Sequence, residues 1–424
     1  MIDLKSLREH PDRVRAALMR RNPGFGVAVS TLLERDRAYR EHLQTVERLR
    51  SVLNSSSEQV AERKRRKEPA NDLLAELKQV SQSLKTAEPI LRAFEQELDE
   101  LALALPNPPL DQVPDGDASK NEMVRTWGTP ATFDFPPKPH WELGEALGLF
   151  DLARGAKVAG SGFPLFLGKG ARLVRALQHF MLDLHTSEHG YTEVCPPLLV
   201  NADSARGTGQ LPDKEGTMYQ TGDGWYLVPT AEVPVTNMHR DEILAADGLP
   251  LAYVAFTPCF RREAGAHGKD TRGLIRVHQF DKVELVRICK PEESAGELER
   301  LLGHAETVLQ RLGLPYRVVR LAAGDLGFAS AMTYDLEVWA PGIQQWLEVS
   351  SASTFADFQA RRAMIRYRPT PDARPVPVHT LNASGVAFPR TIIALLEQGQ
   401  QADGSVRLPE ALAAVAGFDR ITAP

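Results

Sequence analysis

The sequence predicts an α+β protein in which an N-terminal antiparallel α-helical coiled coil precedes a domain built on an antiparallel sheet. Two observations predict this class. Apolar residues recur every seven positions between Leu32 and Leu105, as expected for a helical hairpin. Farther along, two strand-like runs flank a polar, Gly-containing loop, which is typical of an antiparallel strand pair. Neither a P-loop nor a GxGxxG sequence occurs, so the second domain is not expected to be a Rossmann fold.

The composition is that of an ordinary globular protein large enough for two domains, with 424 residues and 46.8 kDa. Its formal net charge is -5, so any nucleic-acid binding must come from a local basic surface. The cysteines are far apart and form no CxxC pair, which argues against a zinc site or a disulfide framework. The charged N-terminus and the lack of a long apolar run predict a cytoplasmic protein that has no membrane partner.

Residues 1–105 are expected to form the N-terminal helical domain. A short amphipathic helix over 3–20, interrupted at His10-Pro11, precedes the heptad region. The heptad positions of the first long helix are Leu32, Tyr39, Val46, Leu53 and Val60. Those of the second are Leu73, Val80, Ala87, Phe94 and Leu101, interleaved with Leu77, Leu84, Leu91, Leu98 and Leu105. A polar turn near Pro69 joins the two helices, and Pro89 should kink the second one locally.

The far end of the first long helix carries a run of basic residues, Arg63, Lys64, Arg65, Arg66 and Lys67. Such a run on a coiled coil is most often only a solvated face. On a long projection it could instead follow a phosphate backbone, and that binding would depend strongly on salt. The spacing alone leaves both interpretations open.

Residues 106–124 are rich in Pro and Asp and are expected to be a linker to a second domain over 125–424. Early in that domain, Leu173, Leu177, Phe180 and Leu184 form the apolar stripe of a helix that ends at Gly190. A strand over 191–200 that closes at Pro196-Pro197 is expected to follow. The helix could pack within its own chain or against a second subunit.

The strand pair around the polar loop predicts a binding floor. Strand alternation places Cys259, Arg261 and Glu263 on one face of the first strand. It places Phe280, Lys282 and Glu284 on one face of the second. If these faces are continuous, a phosphate-binding arginine, an aromatic ring and carboxylates meet, which suits a nucleotide together with a small amine. The alternative is a charge-paired sheet face exposed to solvent.

Two further features have the chemistry of a phosphate site. Alternation predicts Trp346, Glu348 and Ser350 on one face of a later strand, where a carboxylate flanked by hydroxyls could bind a hard cation. A lone glutamate at such a position is more often simply exposed. Arg390 lies at the start of a predicted apolar helix, where a rigid arginine could meet a phosphate and the open face of a purine.

The runs FRREAG, DTRGLIR and HQFDKVELV between 260 and 286 resemble motif 2 of the class II aminoacyl-tRNA synthetases, specifically the bacterial-type seryl-tRNA synthetase family. The helix and strand over 171–200 resemble motif 1, which builds the dimer interface in that family. The run LNASGVAFPR, ending at Arg390, resembles motif 3. The resemblance covers essentially the whole chain and implies the class II antiparallel-sheet catalytic domain.

The resemblance implies ATP-dependent attachment of L-serine to tRNA(Ser) through a seryl-adenylate, with tRNA(Sec) left open as a second acceptor. It implies Mg2+ as the cofactor, a homodimer, and an N-terminal arm that grips the long variable arm of tRNA. Two alternatives differ in class. A ligase that charges a carrier protein would be expected to lack the arm. A catalytically silent tRNA-binding paralogue would be expected to lack Arg261, Glu348 or Arg390, all of which are present.

The residues that the resemblance implies fall into functional sets. The catalytic residues are Arg261, Glu348 and Arg390. The serine-binding residues are Thr230, Ala231, Glu232, Glu284 and Ser384. The ATP-binding residues are Arg261, Arg262, Glu263, Phe280, Glu348, Val349, Ser350, Ser351 and Arg390. The metal ligands are Glu348 and Ser351, and the tRNA-binding residues are Lys269, Arg272 and the basic run Arg63, Lys64, Arg65, Arg66 and Lys67. His267 and His278 are expected to be structural.

Overall fold

The computed structural model describes residues 1–213, 216–263 and 272–423. The chain divides into two compact units, Met1–Pro106 and Asn107–Pro424. Of the residues expected to form a linker, those from Asn107 onward belong to the second unit. The side-chain amide of Asn107 donates to the carbonyls of Ala329 and Phe355, both at 2.8 Å.

The first unit is entirely helical. Its helices are α1 (Leu4–Glu9), α2 (Pro11–Arg21), α3 (Phe25–Arg65) and α4 (Asn71–Leu103). The single helix expected over 3–20 is therefore two helices. Pro11 begins the second of them, in the first turn, where its missing N–H costs no intrahelical hydrogen bond.

Helices α3 and α4 form the antiparallel hairpin that the heptads predict. Ion pairs between them run in opposite order along the two helices: Arg35 with Glu97, Arg50 with Glu88, and Arg63 with Asp72. The heptad positions are buried or partly buried. The buried ones are Leu32, Val46, Val60, Leu73, Leu84, Leu98 and Leu105. Pro89 lies inside α4, as the sequence indicates.

The second unit combines helices with a large sheet. Its helices are α5 (His140–Ala146), α6 (Leu152–Ala159), α7 (Gly168–Ser187), α8 (Ala202–Thr208), α9 (Glu232–Asn237), α10 (Ser294–Arg311), α11 (Phe358–Ala363), α12 (Phe388–Gly399) and α13 (Glu410–Ala416). Its longer strands are β1 (Glu122–Trp127), β8 (Leu251–Phe260), β9 (Gln279–Cys289), β10 (Tyr316–Arg320), β11 (Met332–Ala340), β12 (Gln345–Thr354) and β15 (His379–Ala387). The shorter strands are β2 (Phe150–Asp151), β3 (Leu165–Phe166), β4 (Thr192–Glu193), β5 (Leu199–Val200), β6 (Tyr226–Leu227), β7 (Ile243–Ala245), β13 (Arg366–Arg368), β14 (Val376–Pro377), β16 (Val406–Arg407) and β17 (Arg420–Ile421).

The main sheet has eight strands in the order β1-β10-β11-β12-β15-β9-β8-β4. All neighbouring strands pair antiparallel except β4 with β8. The strand expected over 191–200 was predicted too long: it is the two-residue edge strand β4 and a separate β5. Pro196 and Pro197 lie between them, and proline cannot donate to a strand ladder. Helices α7, α10 and α12 pack against the sheet and bury the main apolar core.

A cluster of three histidines, of which His185 is fully buried, lies where α7 and α10 meet. His185 and His189 share a hydrogen bond between their Nδ1 atoms at 2.9 Å, and the rings of His189 and His304 stack 4.0 Å apart. The Tyr191 hydroxyl lies 3.0 Å from His304 Nδ1. Burial, and then the neighbouring imidazoles, lower the pKa of His185 to about 3. This ring is therefore neutral in the folded protein at neutral pH.

The histidine cluster makes stability depend on pH. His185 has a lowered pKa in the folded state, so its contribution is fully present above the unfolded pKa near 6.5 and is lost as pH falls toward 3. Over that range the unfolded state binds a proton at His185 that the folded state does not. We therefore expect the free energy of unfolding to fall by about 1.4 kcal/mol for each pH unit of acidification. Urea unfolding at several pH values measures the slope. His185→Gln should make the slope shallower by that amount and leave the share of His304, whose pKa burial also lowers to about 3. His179→Gln, at an exposed position of the same helix, should leave the slope unchanged. A wild-type slope in His185→Gln would contradict the assignment.

Candidate active site and nucleic-acid interface

The centre of the site is the strand pair β8 and β9. Cys259 pairs with Phe280, and Ala255 pairs with Glu284, so the two expected faces form one continuous floor. Arg261 follows β8 directly, and its guanidinium lies 5.2 Å from the centre of the Phe280 ring. The sheet therefore holds a cation and an aromatic face side by side.

A first cavity opens above this pair of side chains. It is lined by Arg261, Glu263, Leu274, Ile275, Arg276, Val277, Phe280, Lys282, Glu348, Val349, Ser384, Ala387, Pro389 and Arg390. Glu263 has a positive φ of 45° and forms an ion pair with Arg276 at 3.2 Å. Among the described residues Arg261 has no acidic partner, so its planar fork is available for a phosphate or a carboxylate. An aromatic face between arginines suits a nucleotide.

A second cavity adjoins the first and shares Arg261, Lys282, Glu348 and Ser384 with it. The rest of its polar lining comes from several elements: Thr208, Gln210, Asp213, Thr217, Thr230, Glu232, Ser330, Ser351, Ser353 and Asn382. A small polar molecule in the second cavity would therefore lie next to a nucleotide in the first.

Two buried carboxylates define the floor of the second cavity. Glu284 is fully buried and forms an ion pair with Lys282 at 2.6 Å. The side-chain amide nitrogen of Asn382 donates both to Glu284 and to Glu232, each at 2.9 Å. Ser384 Oγ donates to Glu284 at 3.3 Å. The pocket thus brings two carboxyl groups together, which fits an ammonium group together with a hydroxyl.

Glu232 begins the short helix α9 and is held from the opposite side by Gln359. The Gln359 amide donates to Glu232 Oε1 at 2.6 Å and to the Thr208 carbonyl at 3.2 Å. Burial, and then repulsion from Glu284, raise the pKa of Glu232 to about 7. An incoming cation would favour its ionised form.

A β-bulge selects which residues of β12 face the site. Ser350 pairs with Leu336 but Glu348 pairs with Glu337, so Val349 is an extra residue in the strand. Glu348 and Ser351 consequently share the face that lines the second cavity. The predicted alternation was wrong here, because Ser350 is buried and donates to the Ser384 carbonyl at 2.5 Å.

Arg390 lies in the first turn of α12. Its Nη1 donates to the carbonyl and the carboxylate of Glu348 at 2.8 and 2.9 Å, and its Nε donates to the Ile275 carbonyl at 3.2 Å. Phe388 is buried against Phe256, and Pro389 occupies the helix start, where no N–H is needed. These contacts hold the arginine at the edge of the first cavity.

The donor set around Glu348 fits a magnesium ion. Glu348, Ser351 and Asp335 lie on one face of adjacent strands, since Asp335 pairs with Ser351. Burial, and then the Glu348 carboxylate, raise the pKa of Asp335, and its buried Oδ1 has no hydrogen-bond partner among the described residues. Mg2+ takes one or two carboxylates and otherwise phosphate and water oxygens. No cluster of three or more His, Cys, Asp or Glu that could hold a metal occurs in the described part of the chain.

The remaining expected site residues have other surroundings. Ala231 is buried in an apolar cluster with Val235, and Thr230 Oγ1 accepts from the Glu232 N–H at 3.3 Å. Arg262 is exposed, and its backbone N–H donates to the Thr217 carbonyl at 2.9 Å. His278 is held by the Arg261 carbonyl at 3.0 Å and stacks on Phe163, which fits a structural histidine.

The residues expected to contact tRNA differ in their exposure and in their partners. In the basic run, Arg63 is tied across the hairpin to Asp72 at 2.9 Å and to the Pro69 carbonyl. Arg66 pairs with Glu62 at 2.5 Å, while Lys64, Arg65 and Lys67 are exposed. In the second unit, Arg272 is exposed and stacks on Trp141 at 4.5 Å. Lys269 and His267 lie outside the described residues.

Sequence reasoning missed three residues that shape the site, Asp335, Gln359 and Asn382, and the ion-pairing role of Lys282. Lys282 alternates with Phe280 and Glu284, so its position on the floor could be predicted but its partner could not. Asp335, Gln359 and Asn382 reach the site through strand register or from a short helix. No local sequence pattern indicates such contacts.

Comparisons with known proteins identify the family of each part of the chain. Residues 217–399 match the tRNA synthetase class II core domain (G, H, P, S and T), and residues 1–109 match the seryl-tRNA synthetase N-terminal domain. The fold is thus that of a class II aminoacyl-tRNA synthetase. A serine--tRNA ligase of Citrifermentans bemidjiense is 52% identical over 100% of both chains.

Solved structures give the same result. The seryl-tRNA synthetase of Pyrococcus horikoshii, crystallised with ATP, matches with a TM-score of 0.94 and 38% identity over 100% of both chains. The cytoplasmic serine-tRNA ligase of Naegleria fowleri, in complex with AMP, matches with a TM-score of 0.88 and 27% identity, covering 100% of this chain and 99% of that one. The chain belongs to the seryl-tRNA synthetase family.

Proposed function

We infer that the protein attaches L-serine to tRNA(Ser) at the expense of ATP, through a seryl-adenylate intermediate. The observation that carries this is the pair of adjoining cavities that share Arg261. One offers an aromatic face and arginines to a nucleotide, and the other offers buried carboxylates to a small amino alcohol. A catalytically silent relative would have no need to retain Arg261, Glu348 and Arg390 together in this arrangement.

The first step joins the two substrates. A serine carboxylate oxygen forms a bond to the α-phosphorus of ATP, the bond from that phosphorus to the β-phosphate oxygen breaks, and pyrophosphate leaves. Arg261, which lines both cavities, would hold the α-phosphate and the serine carboxylate together. Phe280 would stack on the adenine, Glu263 would contact its edge, and Arg390 would bind the γ-phosphate. Catalysis then comes from positioning and charge neutralisation, with no side-chain nucleophile.

The strand around the bulge would complete the nucleotide site. Val349 lines the first cavity. Ser350 does not line it, but its hydroxyl donates to the Ser384 carbonyl and so ties β12 to β15. Mg2+ would be held by Glu348 and Ser351, with Asp335 beside them, and would neutralise phosphate charge when bound. Arg262 is exposed next to Arg261 and would meet the nucleotide from the solvent side.

Serine recognition rests on the second cavity. Glu284 and Ser384 would bind the serine hydroxyl, and the segment Thr230–Glu232 would bind the ammonium group. A pocket that satisfies a hydroxyl rejects alanine strongly, because alanine leaves buried polar groups unpaired. Threonine differs by only one methyl group, which is worth roughly 1 to 3 kcal/mol. Threonine is therefore the stronger competitor.

In the second step the 3'-hydroxyl of the tRNA terminal ribose takes the seryl group and AMP leaves. We propose that the hairpin of α3 and α4 binds the tRNA through Lys64, Arg65 and Lys67, with Arg63 and Arg66 shaping that end. Arg272 and Lys269 would guide the acceptor end. Phosphate contacts of this kind predict binding that weakens steeply with salt. The resemblance also leaves tRNA(Sec) open as an acceptor, and the same charging assay with that tRNA checks it.

We further propose a cytoplasmic homodimer whose interface includes α7 and the segment after it. The dimer is supported by the motif 1 resemblance of this region, and light scattering of the purified protein measures it. The cytoplasm is supported by the free cysteines Cys195, Cys259 and Cys289 and by the role in protein synthesis. No helix in the described residues is long and apolar enough to cross a membrane.

ATP–pyrophosphate exchange on the purified protein, without tRNA, tests the proposed function. We expect exchange that requires serine, that is much weaker with threonine, and that is weakest with alanine and glycine. Charging of tRNA(Ser) then tests the second step. Exchange followed by charging of a carrier protein in place of tRNA would instead indicate the ligase alternative. Absence of exchange with every amino acid would overturn the assignment and favour the silent tRNA-binding paralogue.

The raised pKa of Glu232 predicts that serine binds less tightly in acid. Below about pH 7 this carboxyl is protonated, and it must lose that proton to hold an ammonium group. We expect the KM for serine to be about tenfold higher at pH 6 than at pH 8. In Glu232→Gln the KM should be higher overall and independent of pH. A wild-type KM that stays constant over this range would contradict the role of Glu232.

A further inference from the structure

A buried hydrogen-bonded pair, His140 and Glu397, lies beside the nucleotide cavity and has no part in the chemistry described above. Both side chains are fully buried. Glu397 Oε1 accepts from the backbone N–H of His140 at 2.8 Å and lies 2.9 Å from its Nδ1. The other oxygen, Oε2, accepts from the N–H groups of Gly342 and Ile343 at 2.8 and 3.3 Å. The carboxylate is therefore fully satisfied by N–H donors.

The other ring nitrogen of His140 fixes its tautomer. The backbone N–H of Leu274 donates to His140 Nε2 at 3.1 Å, so Nε2 carries the lone pair and Nδ1 carries the proton. Leu274 follows Gly273, whose φ is +73°, and a Cβ at Gly273 would lie 2.2 Å from Nε2. Only glycine therefore lets this backbone approach the ring.

Leu274 is the first residue of the stretch Leu274–Val277, which forms one wall of the nucleotide cavity. Arg390 contacts the next residue of this stretch: its Nε donates to the Ile275 carbonyl at 3.2 Å. Arg390 and Glu397 are seven residues apart on α12, which is two turns of one helix. The helix that supplies Arg390 thus also holds the facing wall, through Glu397 and His140.

We propose that His140 is a positioning residue for ATP: its neutral ring, oriented by Glu397, holds the Leu274–Val277 wall against the nucleotide. The proposal rests on the proposed function, since it names the nucleotide that fills the first cavity. A merely structural histidine would fill the same volume and stabilise the fold. Replacing a merely structural histidine would not change the KM for ATP without also changing the KM for serine.

Two substitutions separate these roles. His140→Gln can place its amide oxygen near the Nε2 position and still accept from Leu274 N–H, but it gives up the bond from Nδ1 to Glu397. His140→Asn can keep a donor near the Nδ1 position but leaves the Leu274 N–H without its acceptor. For His140→Asn we expect the KM for ATP in serine-dependent exchange to rise about five- to tenfold, as for one lost buried hydrogen bond. The KM for serine should stay at its wild-type value. His140→Gln keeps the acceptor for Leu274 but loses the orienting bond to Glu397, so it should raise the KM for ATP clearly less than His140→Asn does.

The proposal is overturned if both variants raise the KM for ATP equally, or if the KM values for ATP and serine rise together. Should His140→Asn fail to fold, Gly273→Ala offers a second test. Its added Cβ would push the His140 ring away from Leu274, while neither His140 nor Glu397 is itself substituted. Its matched control is Gly404→Ala, at a φ of +80° with nothing within 4 Å of the added Cβ. We expect only Gly273→Ala to raise the KM for ATP, and equal behaviour of the two glycine variants would also overturn the proposal.

Calorimetric titration with ATP alone keeps this test separate from the proposed function. If the wild type shows no serine-dependent exchange but binds ATP, and His140→Asn binds ATP more weakly than His140→Gln, then the positioning role holds and the assigned reaction fails. If exchange is normal in the wild type and ATP binds equally to all variants, the reaction holds and the positioning role fails.

Discussion

Replacing Arg261 with alanine is expected to lower serine-dependent ATP–pyrophosphate exchange about 100- to 1,000-fold, the usual cost of removing one preorganised group that stabilises developing charge. Two cations of the floor, Arg261 and Lys282, line both cavities. Lys282 is buried and paired with Glu284, so Arg261, which lies over the Phe280 ring, is the one positioned to hold a phosphate and a carboxylate together. Most of the loss should be in kcat. Steady-state exchange with both substrates varied measures it.

The conservative variant and a surface control sharpen this test. Arg261→Lys keeps the charge but loses the planar fork, and its activity should lie between those of the wild type and Arg261→Ala. Arg311→Ala removes an exposed arginine that pairs with Glu188 and should leave exchange unchanged. Activity of Arg261→Ala within about tenfold of the wild type would remove Arg261 from the catalytic centre.

Replacing Glu284 with glutamine is expected to narrow the preference for serine over alanine by about 10- to 100-fold. A charged acceptor of the serine hydroxyl becomes a neutral one, and hydrogen bonds to charged groups are worth roughly 1.5 to 3 kcal/mol. The loss should appear in kcat/KM for serine, with little change for alanine. Exchange assays with serine, alanine and threonine measure the three values.

Glu284 also neutralises the buried Lys282, so a stability control is needed. Glu306→Gln is the matched control. Glu306 is also buried and also paired with a cation, in its case Arg125 at 2.6 Å, but it lines neither cavity. Both variants should lower the melting temperature, but only Glu284→Gln should change the ratio of serine to alanine activity. The assignment of Glu284 fails if that ratio is unaffected.

Much of the fold could be predicted from the sequence, because its strongest signals are periodic. The heptads fix the hairpin of α3 and α4, and strand alternation identifies Arg261, Phe280 and Glu284 as neighbours on one floor. What could not be predicted depends on register between distant segments. The bulge at Val349 exchanges the faces of Ser350 and Ser351, and Asn382 reaches Glu284 only because β15 lies beside β9. Such pairings join residues far apart in the chain and leave no local pattern.

The bulge at Val349 bears on how this chain can change in length. Val349 adds one residue to β12 and thereby places Glu348 and Ser351 on one face. A deletion of one residue at this bulge would turn every later side chain of β12 to the opposite face. The hairpin of α3 and α4 has no such constraint, because matched additions of whole heptads to both helices keep the apolar seam intact. Natural length variation in this chain should therefore accumulate in the arm and avoid the strands of the site.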